Sequence, residues 1–206
     1  MNDRLVWIDC EMTGLSLVHD ALVEVAVLVT DAELNVLDDG FTVVIRPPEE
    51  SLGQMDDVVL AMHTESGLLD ELAGGTTLEA AQEQTLDYVQ RFVPDQGKAP
   101  LAGNSVATDR GFLARDMPEL DAYLHYRIID VSSIKELVRR WYPRVYYAAP
   151  TKHGGHRALA DIRESVDELR YYRAAVFVPQ PGPDTAQARS FAAAVGGPVL
   201  GGRESG

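Results

Sequence analysis

The sequence predicts an α/β fold in which a mixed five-stranded sheet is flanked by helices. Three β-rich segments lie in the first 48 residues and are joined by short turns, which indicates an antiparallel meander. From residue 77 onward, segments with helical spacing alternate with short apolar segments, as in sheets whose strands are connected through helices. A chain of 206 residues with 46% hydrophobic residues is long enough to bury one core.

The first three strands follow from short apolar runs. Residues 4–9, RLVWID, predict a buried strand that ends in acidic residues. Residues 21–30, ALVEVAVLVT, predict a second strand with valines on one face and mainly apolar residues on the other. Residues 35–48 predict a third strand, or a hairpin around Asp39-Gly40, closed by a proline pair.

Helical spacing begins at Thr77, which is expected to cap a helix over residues 78–93. Residues 99–105, APLAGNS, predict a fourth strand that leads into a polar turn. A helix over residues 107–117 is expected after that turn.

Residues 126–130, YRIID, predict a fifth strand. Ser132 or Ser133 is expected to cap the next helix, which Pro143 terminates. A last helix is predicted from about residue 157 to residue 176, because apolar residues repeat there with helical spacing.

The domain prediction divides the chain at residue 178. Residues 1–178 contain all predicted strands and helices and are expected to form one domain. Pro, Gly, Ala and Ser dominate residues 179–206, which predicts a flexible C-terminal tail and no second domain.

Composition suggests a location inside the cell. Cys10 is the sole cysteine, so the chain cannot form an internal disulfide, and a reducing, cytoplasmic compartment is expected. The first residues lack the charged-then-apolar pattern of a secretory signal. No apolar run reaches the roughly 18 residues that a membrane span requires, so we expect no membrane partner.

The formal net charge of −14 restricts the classes of partner. Proteins that track along long nucleic acids neutralise many phosphates with Lys and Arg, and this balance argues against such a surface. Two interpretations stay open at this point. Either the chain has no relation to nucleic acid, or its carboxylates bind divalent cations that face a small phosphate ligand.

Acidic residues stand where predicted strands end. Asp9 and Glu11 are two residues apart, so a strand directs both carboxylates to one side and Cys10 to the other. Asp109 falls in the first turn or two of the helix after the fourth strand, where an acid is often only a favourable partner of the helix dipole. Each acid alone is compatible with an ordinary solvated carboxylate.

The last acid, Asp161, follows His156 by five residues. Five positions on a helix are about 140° apart, so the two side chains could not share one helical face. Because Gly154 and Gly155 precede it, His156 is expected in the loop or at the start of the helix. His153 matches no motif and is interpreted as a loop residue.

The order of these residues resembles the three-motif pattern of the DEDD-type 3′→5′ exonucleases, in the histidine-bearing branch called DEDDh. Asp9-x-Glu11 comes first, then Asp109 in an Asn-Ser-x-x-x-Asp stretch, then His156-x-Ala-x-x-Asp161. The similarity runs from about residue 4 to residue 176 through the following stretches: WIDCEMTGL, HTESGL, GNSVATDRGFL, HYRIIDVSSIKELVRRWYP and HRALADIRESVDELRYYR. It implies a ribonuclease H-like fold.

The resemblance also implies a catalytic set. Asp9, Glu11, Asp109 and Asp161 would be the metal ligands, and His156 the general base that accepts a proton from the attacking water. Two divalent cations would stabilise the attacking and leaving oxygens of phosphodiester hydrolysis. Carboxylate and water ligands suit Mg²⁺ or Mn²⁺.

The implied activity is 3′→5′ exoribonuclease hydrolysis of short RNA oligonucleotides, from dinucleotides to about five nucleotides, to 5′-mononucleotides by a two-metal mechanism. Such a substrate needs few basic contacts, which agrees with the acidity. The substrate contacts carried over by position are Leu15, as a wedge between bases, Ser105, Arg127 and Ser132 near the terminal phosphate, His63, and Tyr126, which the second subunit of a homodimer would contribute.

One position departs from the family pattern. An aromatic residue, usually Trp, stands a few residues before the His-Thr motif and stacks on a base, whereas this chain has Val58. Val has no π-face, so stacking worth roughly 1–3 kcal/mol must be weaker or come from elsewhere. Two alternatives stay open: a DEDDh exonuclease acting on longer RNA or single-stranded DNA ends, and a non-catalytic binding module, although all four acids and His156 are present.

Overall fold

The computed structural model describes residues 3–151 and 157–196. Five strands form one mixed sheet in the order β3-β2-β1-β4-β5, with β1–β2 and β2–β3 antiparallel and β1–β4 and β4–β5 parallel. The strands are β1 (Arg4–Met12), β2 (Leu22–Asp31), β3 (Phe41–Val44), β4 (Pro100–Gly103) and β5 (His125–Asp130). The predicted mixed five-stranded sheet and its initial antiparallel meander are confirmed.

Helices lie on both faces of the sheet and also form the long connection between β3 and β4. Their bounds are α1 (Glu49–Gly53), α2 (Asp57–Glu65), α3 (Leu68–Glu71), α4 (Leu78–Phe92), α5 (Ala107–Asp116), α6 (Pro118–Tyr123), α7 (Val131–Trp141), α8 (Pro143–Tyr147), α9 (Ala158–Val176) and α10 (Thr185–Ala194), with a 3₁₀ turn at Leu72–Gly74.

Strand β1 separates two hydrophobic cores. Val6, Ile8 and Cys10 pack with buried residues of α4, α5 and α6 on one face. Trp7 packs on the other face with buried residues of α7 and α9. Because side chains alternate along a strand, Asp9 lies on the same side as Trp7, and Cys10 points away from it as predicted.

Local signals account for most boundaries. Thr77 caps α4 as predicted, because its Oγ1 accepts a hydrogen bond from the Ala80 N–H at 3.2 Å. Helix α7 differs from the prediction: Asp130, at the end of β5, is its N-cap and accepts from the Ser132 N–H at 2.9 Å. Ser132 and Ser133 lie inside the helix, since a carboxylate is as good a cap as a hydroxyl and comes first.

The third strand is shorter than predicted, because residues before it form a turn. Gly40 adopts φ +89°, a left-handed conformation that favours glycine, and its N–H donates to Asp38 Oδ1 at 2.8 Å. The Tyr88 hydroxyl donates to the same carboxylate oxygen at 2.5 Å. Asp38 therefore ties the turn to α4, and β3 begins only at Phe41.

Residues 49–76 form three short helices and a 3₁₀ turn that the sequence pattern did not predict. Each of α1, α2 and α3 has nine residues or fewer, too few for helical spacing to identify reliably. Asp56 caps α2 by accepting hydrogen bonds from the N–H groups of Val58 and Val59.

Part of the predicted tail is helical. Helix α10 begins with a capping box in which Asp184 and Gln187 exchange hydrogen bonds, and its side chains are largely exposed. The flexibility of residues 179–206 stays a prediction. Among the helices described, none combines the length and apolarity that crossing a bilayer demands.

A buried hydrogen bond gives a stability test of the sheet. Trp7 Nε1–H donates to Thr30 Oγ1 at 3.0 Å, and both side chains are fully buried. Thr30→Val keeps the shape but leaves the indole N–H without its acceptor, so we expect a loss of about 1–3 kcal/mol in the free energy of unfolding, measured with denaturant.

Thr42→Val provides the control, because Thr42 is half-buried on the edge strand β3. Its effect should stay within about 0.5 kcal/mol. Equal effects of the two substitutions would show that the Trp7–Thr30 hydrogen bond contributes nothing specific.

Candidate active site

Three carboxylates from two elements meet at the end of β1. Asp9 and Glu11 extend from β1, and Asp161 extends from the first turn of α9. One ligand oxygen of each lies within 4.8 Å of the others, a spacing at which they could bind a common metal ion. The structure therefore brings three of the four predicted ligands together, and we refer to these three acids as the acidic cluster. Their role as metal ligands stays a prediction.

Asp109 is hydrogen-bonded to the strand that carries two of these acids. It is 6% exposed on α5, and its Oδ1 accepts a hydrogen bond from the backbone N–H of Cys10 at 3.0 Å. Cys10 separates Asp9 from Glu11, so the fourth acid is fixed to the same short stretch of β1. Its role as a metal ligand stays a prediction, since its oxygens are not part of the three-residue group.

Burial and mutual repulsion act strongly on these acids in the absence of cations. The pKa of Asp9 rises from 3.8 to about 8, first because the group is buried and then because Asp109, Glu11 and Asp161 repel its charge. The fold thus holds several carboxylates where they cannot all ionise at neutral pH without a compensating positive charge.

Glu11 and Asp109 respond to the same causes. Burial, followed by repulsion from Asp161, raises the pKa of Glu11 to about 8, and Arg157 opposes this rise. Burial raises the pKa of Asp109 to about 6, and the hydrogen bond from the Cys10 N–H limits the increase. The donor set consists of carboxylate oxygens, which fits a hard divalent cation such as Mg²⁺ or Mn²⁺.

The general base that the motif predicts lies outside the described residues. His156 and His153 both lie within residues 152–156, outside the described part of the chain. The described chain resumes at Arg157, which is the residue before α9. The assignment of His156 as general base therefore stays a prediction from the sequence.

Two of the predicted phosphate contacts are neighbours. The Oγ atoms of Ser105 and Ser132 are 3.1 Å apart, and the Ser105 N–H donates to Ser132 Oγ at 3.0 Å and to Asp130 Oδ1 at 3.0 Å. Ser105 adopts φ +52°, which turns the chain sharply after β4. The structure therefore brings the ends of β4 and β5 together.

Asn104 supports this serine pair and was not recognised in the sequence. Its Oδ1 accepts from Ser132 Oγ at 3.0 Å, and its Nδ2 donates to Ser165 Oγ at 2.8 Å and Glu168 Oε2 at 3.1 Å. Both acceptors lie on α9, about 60 residues later in the chain. The polar Asn-Ser turn was visible in the sequence, but a turn motif does not reveal hydrogen-bond partners that lie on a distant helix.

Arg127 and Tyr126 extend from the edge strand β5. Tyr126 is 73% exposed, and the Arg127 guanidinium carbon lies 5.3 Å from the centre of its ring. The two side chains contact each other. Their roles in substrate binding stay predictions.

Leu15 is exposed because the loop after β1 is folded tightly beneath it. Asp20 accepts hydrogen bonds from Thr13 Oγ1 at 2.9 Å and from the Ser16 N–H at 2.8 Å. A Cβ on Gly14 would lie 2.5 Å from Asp20 Oδ2, so any larger residue there would displace the Asp20 carboxylate that holds the loop. The loop thus presents Leu15, 75% exposed, next to the end of β1.

Val58 and His63 lie on α2 in different environments. Val58 is 76% exposed, so a larger side chain could be accommodated there. His63 is fully buried, its Nε2 is 2.9 Å from the Met12 carbonyl oxygen, and its Nδ1 has no partner among the described residues. In this arrangement His63 supports the end of β1, and its direct contact with substrate stays a prediction.

Glu24 and Arg157 are the other residues near the cluster that sequence reasoning did not assign. Glu24 is 1% exposed in β2 and lies opposite Glu11 in the strand register. It forms an ion pair with Arg157 at 2.8 Å. An acidic residue inside an otherwise apolar strand was the signal available.

Comparison with known proteins agrees with this site. The family model RNase_T, described as exonuclease, matches residues 6–169. The oligoribonuclease of Streptomyces griseus is 69% identical over 199 residues, which cover 97% of this chain and 99% of that protein. The oligoribonuclease of Rhodococcus jostii is 63% identical over 186 residues, covering 90% and 94% of the two chains.

Solved structures of exonuclease I share the fold at low sequence identity. A zinc-bound Escherichia coli exonuclease I complex with single-stranded DNA has a TM-score of 0.66 and 13% identity, covering 85% of this chain and 41% of that one. The Methylocaldum szegediense enzyme has a TM-score of 0.60 and 19% identity, covering 87% and 41%. The predicted ribonuclease H-like fold is confirmed, and the chain belongs to the oligoribonuclease family of the DEDD exonucleases.

Proposed function

We propose that the protein is a metal-dependent 3′→5′ exoribonuclease that hydrolyses RNA from dinucleotides to about five nucleotides, releasing 5′-mononucleotides. The convergence of Asp9, Glu11 and Asp161 at the end of β1 carries this proposal. Relatives at 59–69% identity over nearly the whole chain bear the name oligoribonuclease, which supports this substrate class.

The acidic cluster, with Asp109 as a further ligand, would hold two divalent cations, Mg²⁺ or Mn²⁺. When bound, such cations stabilise negative charge on the attacking and leaving oxygens of a phosphodiester. His156 would accept a proton from the attacking water through an imidazole nitrogen, the role that histidine most often has in general base catalysis.

The end of a short substrate that carries the terminal phosphate would bind to Ser105 and Ser132. Ser105 and Ser132 offer hydroxyl groups at the joined ends of β4 and β5, and Asp130 holds both backbones in place. Arg127 would add positive charge at a terminal phosphate. Leu15 would separate the bases, and Val58 would give a smaller apolar contact than the family's usual Trp.

We also propose a homodimer in which Tyr126 reaches the partner's site. Large side chains are exposed on β5, α7 and α8 and at Tyr142 between the two helices, and exposed apolar surface can mark an interaction site. They are Tyr126, Ile128, Leu137, Trp141, Tyr142 and Tyr147. Strand β5 is also an edge of the sheet, whose unpaired backbone is commonly covered by a neighbour.

A second candidate is an exonuclease that acts on longer RNA or single-stranded DNA ends. The solved exonuclease I structures in complex with single-stranded DNA favour it at the level of fold. The net charge of −14 opposes it, because a long strand needs many phosphate contacts. A cytoplasmic location is part of the proposal, since Cys10 is buried and has no second cysteine to pair with.

Substrate length distinguishes the two candidates. We expect the initial rate with Mn²⁺ to be highest on dinucleotides and to fall steeply for 5′-labelled RNAs as they approach about twenty nucleotides, since few basic groups can bind extra phosphates. Product chromatography gives the rates. A rate that rises with length would favour the second candidate.

Removal of one cluster acid should abolish turnover. Asp161→Asn keeps the size of the side chain but removes a charged metal ligand, so we expect kcat on dinucleotides to fall by at least about a hundredfold. Asp167→Asn, on the exposed face of the same helix, is the matched control and should keep kcat within about threefold. Near-native turnover by Asp161→Asn would contradict the proposal.

The metal-free protein should lose stability as pH rises. Asp9 and Glu11 have folded pKa values of about 8 against ordinary values of 3.8 and 4.5, so the folded state binds more protons than the unfolded state between about pH 4 and pH 8. Stability therefore falls through that window, which melting temperatures measured with a chelator should show.

Saturating Mn²⁺ should flatten this dependence, because bound cations balance the ionised carboxylates. Asp9→Asn distinguishes the effect of the acidic cluster from the general effect of net charge. This substitution alone should flatten the pH dependence of the melting temperature in the metal-free protein. If Asp9→Asn and the unsubstituted protein have the same profile, the cluster is not its cause.

A further inference from the structure

Glu24 is buried, and both of its carboxylate oxygens accept hydrogen bonds from the start of α9. Its Oε1 accepts from Arg157 Nε at 3.1 Å and from Arg157 Nη2 at 2.8 Å, and its Oε2 accepts from the Ala158 N–H at 3.0 Å. Helix starts have unpaired N–H groups, and a side chain near the chain usually caps them. Here a carboxylate from β2 does so, 134 residues away in sequence.

Arg157 connects this carboxylate to a third element. Its Nη1 donates to Glu71 Oε1 at 2.9 Å and its Nη2 donates to Glu71 Oε2 at 3.1 Å. Glu71 ends α3 and is about half exposed, whereas Glu24 is 1% exposed. One planar guanidinium therefore joins β2, α3 and the first residue before α9 through a fork of hydrogen bonds.

The backbone transmits this position to the acidic cluster. The Arg157 carbonyl accepts from the Asp161 N–H at 3.1 Å and from the Ala160 N–H at 2.9 Å. Glu24 therefore holds the turn of α9 that carries Asp161, and it does so from the strand position opposite Glu11.

We propose that Glu24 and Arg157 are positioning residues: together they fix the start of α9 so that Asp161 meets Asp9 and Glu11, and Glu71 supports Arg157 from outside. This inference rests on the proposed function, because the arrangement it stabilises is the one expected to bind cations. Neither residue touches the substrate in this account. They act through the helix start.

A purely structural ion pair would have a different signature. Loss of one partner from a buried pair destabilises a protein, but it need not change a metal site. Loss of a positioning pair must change cation affinity and kcat more than it changes KM, because the geometry of the metal ligands is altered while the substrate contacts remain.

The test compares Arg157→Gln, Glu24→Gln, Arg157→Lys and Glu71→Gln in the full chain. Calorimetric titration with Mn²⁺ and steady-state kinetics on a dinucleotide are the two measurements. Arg170→Gln is the matched control, since Arg170 makes an ion pair and a backbone hydrogen bond later in α9. Melting temperatures report the stability of each variant.

We expect Arg157→Gln and Glu24→Gln to weaken Mn²⁺ binding and to lower kcat by about tenfold or more, with KM changed by less than about threefold. Glu71→Gln should change the Mn²⁺ affinity, kcat and KM by less than about threefold each, because Arg157 keeps its hydrogen bonds to the buried Glu24. Arg157→Lys should be intermediate, since it restores the charge without the planar fork.

Wild-type Mn²⁺ affinity and kcat in Arg157→Gln would overturn the inference, even if its melting temperature fell. The inference would also be overturned if Arg157→Lys and Arg157→Gln had the same Mn²⁺ affinity and kcat as the control Arg170→Gln. If Glu24→Gln does not fold, the Arg157 series decides. If the unsubstituted protein binds Mn²⁺ but does not cleave dinucleotides, the proposed function fails, and the affinities alone decide this inference.

Discussion

Buried negative charge is the constraint on which the site depends. Strand β1 directs Asp9 and Glu11 to one face, α9 adds Asp161, and Asp109 is fixed to the strand by the Cys10 N–H. Carboxylates this close and this buried repel one another, which is why their pKa values rise. Two hydrophobic cores on either side of β1 hold the arrangement despite that cost. A divalent cation is the natural counter-charge.

The positive charge of Arg157 supports the site from within the protein. Arg157 is held by Glu24 and Glu71 at the start of α9, where it partly offsets the repulsion on Glu11. Ser105 and Ser132 offer neutral hydroxyls where a terminal phosphate is proposed to bind. A site of this kind derives its affinity for phosphate from bound cations, which reconciles an acidic protein with a nucleic-acid substrate.

The sequence was sufficient for features that depend on near neighbours. Alternation along a strand placed Asp9 and Glu11 together, and an N-cap and helical spacing placed α4. It was insufficient where a contact joins distant segments: nothing local shows that Glu24 would bond to Arg157, 133 residues later. Ser132 looked like a helix cap because the competing acid, Asp130, was assigned to the strand before it. The burial of His63 against Met12 likewise depends on tertiary packing.

The most direct measurement of the central claim is the number of protons released when Mn²⁺ binds at pH 7, obtained by calorimetry in buffers of different ionisation enthalpy. Asp9 and Glu11, with pKa values of about 8 in the metal-free fold, hold protons that the cation must displace. We expect Mn²⁺ binding to release at least about one proton, and fewer in Asp9→Asn. Binding with no proton release, or no binding, would contradict it.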